Sequence, residues 1–221
     1  MGDQLVIWQG RLEKIVRTCG IEEDGSHDLK HIHRVLKNAN QIADEVAESV
    51  CHLTLLAAVW LHDIVSFEKN DPRRTEASRL AALKAKQRLE EAGFPQQKLE
   101  GVVHAIEAHS FSANIEPQTI EAMILQDADR LDALGAVGIA RVFYVGGRMG
   151  IALYHDDDIL AANRTLDDHN YSLDHFQTKI LKLPEGMKTA PGCRMAKERA
   201  ALVRDFVKRF CSEAGTDAVK I

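Results

Sequence analysis

The chain has 221 residues, enough for one domain with a sizeable core, and is 45% hydrophobic and 28% charged, the proportions of an ordinary globular protein. Its formal net charge of −5 argues against a general nucleic-acid or membrane-surface binder, although a local basic pocket for a phosphorylated small molecule stays compatible with it. No apolar run reaches membrane-spanning length, Asp3 stands where a signal peptide would be basic, and none of Cys19, Cys51, Cys193 and Cys211 forms a C-x-x-C pair, so the expectation is a cytoplasmic protein with free thiols.

Helical patterns follow one another along the chain. Leu5–Arg17 is the first. Asp28–Ser49 carries Ile32, Val35, Leu36, Ala39, Ile42, Ala43 and Val46 as an apolar stripe at helical spacing. His52–Ile64 is almost wholly apolar and belongs in the centre of the fold. Thr75–Ala92 stops at Gly93 with Pro95 beyond it, and Gln96–His109 repeats Leu99, Val102, Val103 and Ile106 on one face. Thr119–Tyr144 reads as a single long helix that ends at G-G-R-M-G. Ser172–Leu183 and Cys193–Ala214 follow, and the prolines fall between helical segments. Strand patterns are nearly absent. The expected fold is therefore all-α, a single-domain bundle of about eight helices over 1–221. The stretch 146–170 is a long acidic loop. A lid and a surface insertion are both open readings of it.

The chemistry-bearing residues interrupt these apolar faces. Most of the ten histidines lie between His27 and His109. Asp28 and His31 share a helix face. His62-Asp63 ends the central helix, His104 and His109 fall on the next but one, and Asp127, Asp129 and Asp132 interrupt a run of Ile, Leu and Ala. His27 and His33 read as core or surface histidines. Buried carboxylates need a counter-charge. One cation held by two His and two Asp from separate helices would supply it, and mixed imidazole–carboxylate ligation suits Mn²⁺, Fe²⁺, Ni²⁺ or Zn²⁺ better than Mg²⁺. Asp127 and Asp129 project to nearly opposite sides of a helix, so one ion is expected to take one of them. Periodicity alone slightly favours Asp127.

His31, His62-Asp63 and a later helical Asp resemble the H…HD…D pattern of the HD-domain superfamily of metal-dependent phosphohydrolases. "HDLKHIHRVLKNA", "WLHDIV", "KNDP", "AIEAHSFS", "ILQDADRLDALGAVGIAR", "YVGG" and "HFQTKILKL" together are similar to its bacterial YpgQ/YedJ-type branch. The resemblance implies an HD-type helical bundle with core motifs over about 27–135 and a C-terminal helical extension over about 146–221. It favours Asp129 over Asp127, giving His31, His62, Asp63 and Asp129 as ligands of a divalent ion, Mn²⁺ first among the candidates. It further implies hydrolysis of (deoxy)nucleoside triphosphates to monophosphate and pyrophosphate.

The remaining roles are expectations about chemistry. Asp63, His109 and Asp132 form the catalytic set, with His109 moving a proton and Asp132, on the face of Asp129, orienting water or substrate. Arg130, Lys69, Asn70 and His104 are the candidate substrate-binding residues, because guanidinium and ammonium groups meet phosphate. No P-loop and no G-x-S-x-G element exists, so water activated at a metal is a better fit than phosphoryl transfer or a serine nucleophile. Ser66 and Phe67 stand where alarmone hydrolases carry an E-D pair. Three alternatives stay open: an HD phosphodiesterase, a nucleotidase for another phosphorylated small molecule, and a non-catalytic metal- or nucleotide-binding module. The expected partner is a nucleotide-like small molecule, with no nucleic acid and no membrane. A homodimer is compatible with the plentiful apolar helix faces.

Overall fold

The computed structural model of the chain describes residues 2–19, 29–67, 71–110 and 113–215. Among these the architecture is all-α. The helices are α1 (Gly2–Thr18), α2 (Leu29–Ala43), α3 (His52–Leu61), α4 (Ala77–Glu91), α5 (Gln96–His109), α6 (Ile120–Asp132), α7 (Gly135–Arg148), α8 (Asp174–Thr178) and α9 (Ala190–Glu213). Two 3₁₀ turns, Pro72–Glu76 and Ile180–Gly186, complete the set. The only β feature among the described residues is an isolated parallel bridge between Ala152 and Tyr171. No described helix is long and apolar enough to cross a membrane.

The chain divides into two compact units, Met1–Asp129 and Arg130–Ile221, with the division falling inside α6. In the first unit α3 is the axis: every residue from Leu53 to Leu61 is buried, and α1, α2 and α5 pack against it. Burial on all sides explains why its sequence has no polar stripe. The other helices bury one face each: Trp8, Leu12 and Val16 of α1, Ile32, Val35, Ala39 and Ile42 of α2, Ala81, Ala85 and Leu89 of α4, and Leu99, Val102 and Ile106 of α5.

The second unit is built on aromatic contacts. Phe143 of α7 meets Phe176 of α8 and Phe206 and Phe210 of α9, with ring centroids 5.8, 5.9 and 5.9 Å apart. Val203 and Val207 of α9 are fully buried beside them in sequence. Arg164, from the acidic stretch, grips the fully buried Asp174 through its two terminal guanidinium nitrogens. Asp158 caps the backbone N–H groups of Ala162 and Asn163 at 2.8 Å. These bonds give the stretch its own internal structure.

Several boundaries differ from the expected ones: α3 ends at Leu61 and not at Ile64, and the single helix expected over Ser172–Leu183 is the short α8 followed by the 3₁₀ turn Ile180–Gly186. α2 stops at Ala43 instead of Ser49, because Asp44, Glu45 and Glu48 would place negative charge on the negative end of the helix dipole and their side of the helix is exposed. The long helix expected over Thr119–Tyr144 is two helices. Leu134 is extended (φ −108°, ψ 162°) and Gly135 takes φ +73°, a left-handed conformation that breaks the turn. α9 begins at Ala190, with Pro191 in its first turn and the Thr189 hydroxyl accepting from Gly192 N, so this proline starts the helix and does not separate segments.

Candidate metal centre

Four elements of the first unit converge on one point. His31 comes from the first turn of α2, on the same buried stripe as Ile32 and Val35. His62 follows the last residue of α3 and keeps helical dihedrals (φ −59°, ψ −36°), so its ring stays inside the core while the chain turns away at Asp63. His109 is the last residue of α5, and Asp129 lies near the end of α6.

The resulting distances are short. His31 Nε2 and His62 Nε2 are 3.2 Å apart. Asp63 Oδ2 lies 3.6 Å from His31 Nε2 and 3.4 Å from His62 Nε2. Asp129 Oδ1 lies 3.6 Å from the first and 4.0 Å from the second. The other oxygen of Asp63, Oδ1, faces His109 Nε2 at 3.5 Å. The two imidazoles are sealed, at 1% and 0% side-chain exposure, whereas Asp63 and Asp129 reach 20% and 30%. The cluster is thus closed on its histidine side and open on its carboxylate side.

Backbone contacts orient the rings. His62 Nδ1 is 2.8 Å from Val59 O, and His109 Nδ1 is 2.6 Å from Ile106 O. In the neutral tautomer in which Nδ1 donates to that carbonyl, Nε2 carries the lone pair toward the cluster. Burial, the largest influence on His62, favours its neutral form. The carboxylates of Asp63 and Asp129 and the Val59 carbonyl outweigh it, and the ring is pushed up to about 9 from 6.5. A positive charge among these groups is therefore strongly favoured.

A divalent cation fits this donor set. Two imidazole nitrogens facing each other across 3.2 Å need a proton or a cation between them. Two nitrogens each about 2.1 Å from one ion and about 90° apart are separated by about 3 Å. His31, His62 and Asp63 each present a ligand atom within 4.8 Å of the others, and Asp129 Oδ1 stands beside both imidazoles. Ligation of this mixed kind suits first-row divalent metals.

Lys69, Asn70, Asp28 and His27 lie outside the described residues. His104 Nε2 accepts the backbone N–H of Gln118 at 2.9 Å, which ties α5 to the segment before α6. Arg130 and Asp132 belong to the second unit. There Arg130 Nη1 donates to Gly186 O at 2.6 Å, and buried Asp132 accepts from Arg141 Nη1 at 2.9 Å. His33 is exposed and meets the edge of Trp60. Asp127 is fully buried.

Two buried amides escape the sequence reading. Asn38 Nδ2 donates to Ala128 O at 3.1 Å, and Gln126 Nε2 donates to Ala108 O at 2.6 Å. The available signal was a polar residue on a stripe that is otherwise apolar: Asn38 falls one residue before Ala39 and three after Val35.

An all-α frame that gathers two buried imidazoles and two half-open carboxylates defines a metal-dependent hydrolase centre. The HD-domain family model matches residues 28–134. The chain is 31% identical over 199 residues to the uncharacterized protein YpgQ of Bacillus subtilis, covering 88% of each. Among solved structures, Bacillus subtilis YpgQ in complex with ADP matches with a TM-score of 0.70 at 28% identity over 95% of this chain and 98% of that one. An HD-superfamily hydrolase from Bacillus thuringiensis matches with a TM-score of 0.68 at 31% identity over 93% and 97%. The chain belongs to the HD-domain superfamily of metal-dependent phosphohydrolases, in its YpgQ-type branch.

Proposed function

We propose that the chain hydrolyses (deoxy)nucleoside triphosphates to the monophosphate and pyrophosphate, with His31, His62, Asp63 and Asp129 holding a Mn²⁺-type ion. The observation that carries this reading is the asymmetry of the cluster. Its imidazoles are sealed in the core and its two carboxylates face outward, which leaves an approach for a phosphate on one side only. The ADP complex of Bacillus subtilis YpgQ supports a nucleotide as the substrate class.

When bound, the ion polarises a phosphoryl oxygen and lowers the pKa of water. The chain does the rest. His31 and His62 exclude water from the inner side and keep the centre dry. Asp63 offers one oxygen to the two imidazoles and the other to His109. His109, its Nδ1 fixed on Ile106 O, holds or moves a proton at Nε2 beside Asp63 Oδ1. Phosphate charge calls for cations near the opening, and Lys69 and Arg130 are the proposed donors.

Metal-stripped protein restored with Mn²⁺ would be assayed for pyrophosphate and orthophosphate against dNTPs, NTPs, monophosphates and cyclic dinucleotides, with Asp63→Ala alongside. The expected outcome is pyrophosphate from triphosphates, reduced at least about a hundredfold in the variant. Orthophosphate from monophosphates would replace this reading with a nucleotidase. Mn²⁺ binding without turnover of any nucleotide would replace it with a binding module.

A further inference from the structure

The bundle leaves open how Asp129 is held at its distance from the imidazoles. It comes from α6, and its carboxylate is the most exposed of the cluster, at 30%. The answer lies in the two buried amides of the first unit. Asn38 sits on α2 two turns beyond His31, and its Nδ2 reaches the carbonyl of Ala128, the residue directly before Asp129. Gln126, three residues before Asp129 and so on a neighbouring line of α6, sends its Nε2 to the carbonyl of Ala108, the residue directly before His109.

We propose that Asn38 and Gln126 are positioning residues, a two-point clamp that fixes α6 against α2 and α5 and thereby sets the Asp129 carboxylate against His31 and His62. The inference rests on the reading that this cluster holds the ion.

Three observations favour a clamp over two incidental core polars. Both side chains are buried, Asn38 at 3% and Gln126 at 3% exposure, so each amide is removed from water. Gln126 Oε1 has no hydrogen-bond partner among the described residues, so the polar contact that accompanies the burial of this amide is made by its other end, Nε2, at 2.6 Å. That contact also caps α5, because Ala108 O is among the last four carbonyls of the helix, which lack regular helical partners. Each bond ends one residue away from a member of the cluster, so a slip of α6 along either neighbour would move Asp129 directly. A shift of a few tenths of an ångström in one ligand is enough to weaken a metal site.

The test is a double-mutant cycle read by Mn²⁺ alone, followed by electron paramagnetic resonance on the metal-stripped full chain. Asn38→Leu and Gln126→Met are each expected to weaken Mn²⁺ binding by about tenfold, within the range for residues that orient ligands. In an Asp129→Ala background the same substitutions are expected to have less than about twofold effect, because the group they position is gone. The melting temperature of the metal-free variants should stay close to that of the parent. If the loss in affinity is the same with and without Asp129, or if binding is unchanged, the clamp is wrong. If the parent protein itself fails to bind Mn²⁺, the metal reading fails, which is a separate result. Should the apolar variants not fold, Asn38→Ala and Gln126→Ala remove the donor without adding a charge, and the same cycle applies to them.

Discussion

Cys51 illustrates how far a single residue departs from its bland sequence reading. It precedes α3 at the N-cap position, its backbone N–H donates to Glu121 Oε1 at 2.7 Å, and its Sγ lies 2.9 Å from Lys98 Nζ and 3.2 Å from Thr54 Oγ1. Burial favours the thiol, yet Lys98 and Thr54 together hold its pKa below the usual range, while burial alone pushes Cys211 up. Thiolate is the reactive form. Cys51 is therefore expected to be alkylated by iodoacetamide well before Cys211, and Lys98→Met to slow that reaction severalfold, as followed by mass spectrometry of the labelled peptides. Equal rates at the two cysteines, or no response to Lys98→Met, would remove the assignment. The metal-site candidates were more legible than this one. His31, His62-Asp63 and an Asp from D-A-D-R-L-D stand out because charge on an apolar helix face demands a partner. Cys51–Lys98 and the Asn38 and Gln126 contacts were not legible, because each depends on which helices are neighbours, and periodicity carries no such information.

At the scale of elements, helix interiors followed the apolar stripe and the ends did not always. α5 has the bounds read from its sequence, since Pro95 and Ser110 flank a complete stripe. The α6–α7 break was hidden because Ala133 and Leu134 continue the helical pattern, while the corner is made by extended Leu134, left-handed Gly135 and a close approach of backbone at Gly138. A Cβ on Gly138 would lie 2.1 Å from Ala133 O, a contact with backbone that nothing flexible can relieve. Gly10, in the middle of α1, has open space around the same position. The two substitutions therefore differ in sign. Gly138→Ala is expected to destabilise by about 1–3 kcal/mol, as overpacking does. Gly10→Ala is expected to stabilise by about 0.5–1 kcal/mol through helix propensity. Urea unfolding of both variants checks the pair, and a stabilised Gly138→Ala protein would mean that the corner is looser than its geometry.

For the whole molecule, a proton and a metal ion compete for the same buried position, and stability should record the competition. His62 titrates at about 9 in the metal-free fold, against 6.5 when unperturbed, with burial opposing and Asp63 foremost in favouring the shift. A folded-state pKa above the unfolded one stabilises fully below the unfolded value, and that contribution is lost as pH rises through the folded value. Metal-free protein is thus expected to lose stability between pH 6.5 and about 9 on account of this ring. Metal ligation needs the neutral imidazole, so the sign reverses for the ion. Below about 9 the ion must displace the proton, and apparent Mn²⁺ affinity should rise by about tenfold per pH unit. The increase in melting temperature on adding Mn²⁺ should therefore grow from pH 6.5 to pH 8, even as the metal-free baseline falls. Thermal unfolding with and without the ion across that window gives both slopes in one experiment. A metal-induced shift that is independent of pH would show that His62 is already neutral in the metal-free fold, and the electrostatic account of the cluster would have to be abandoned.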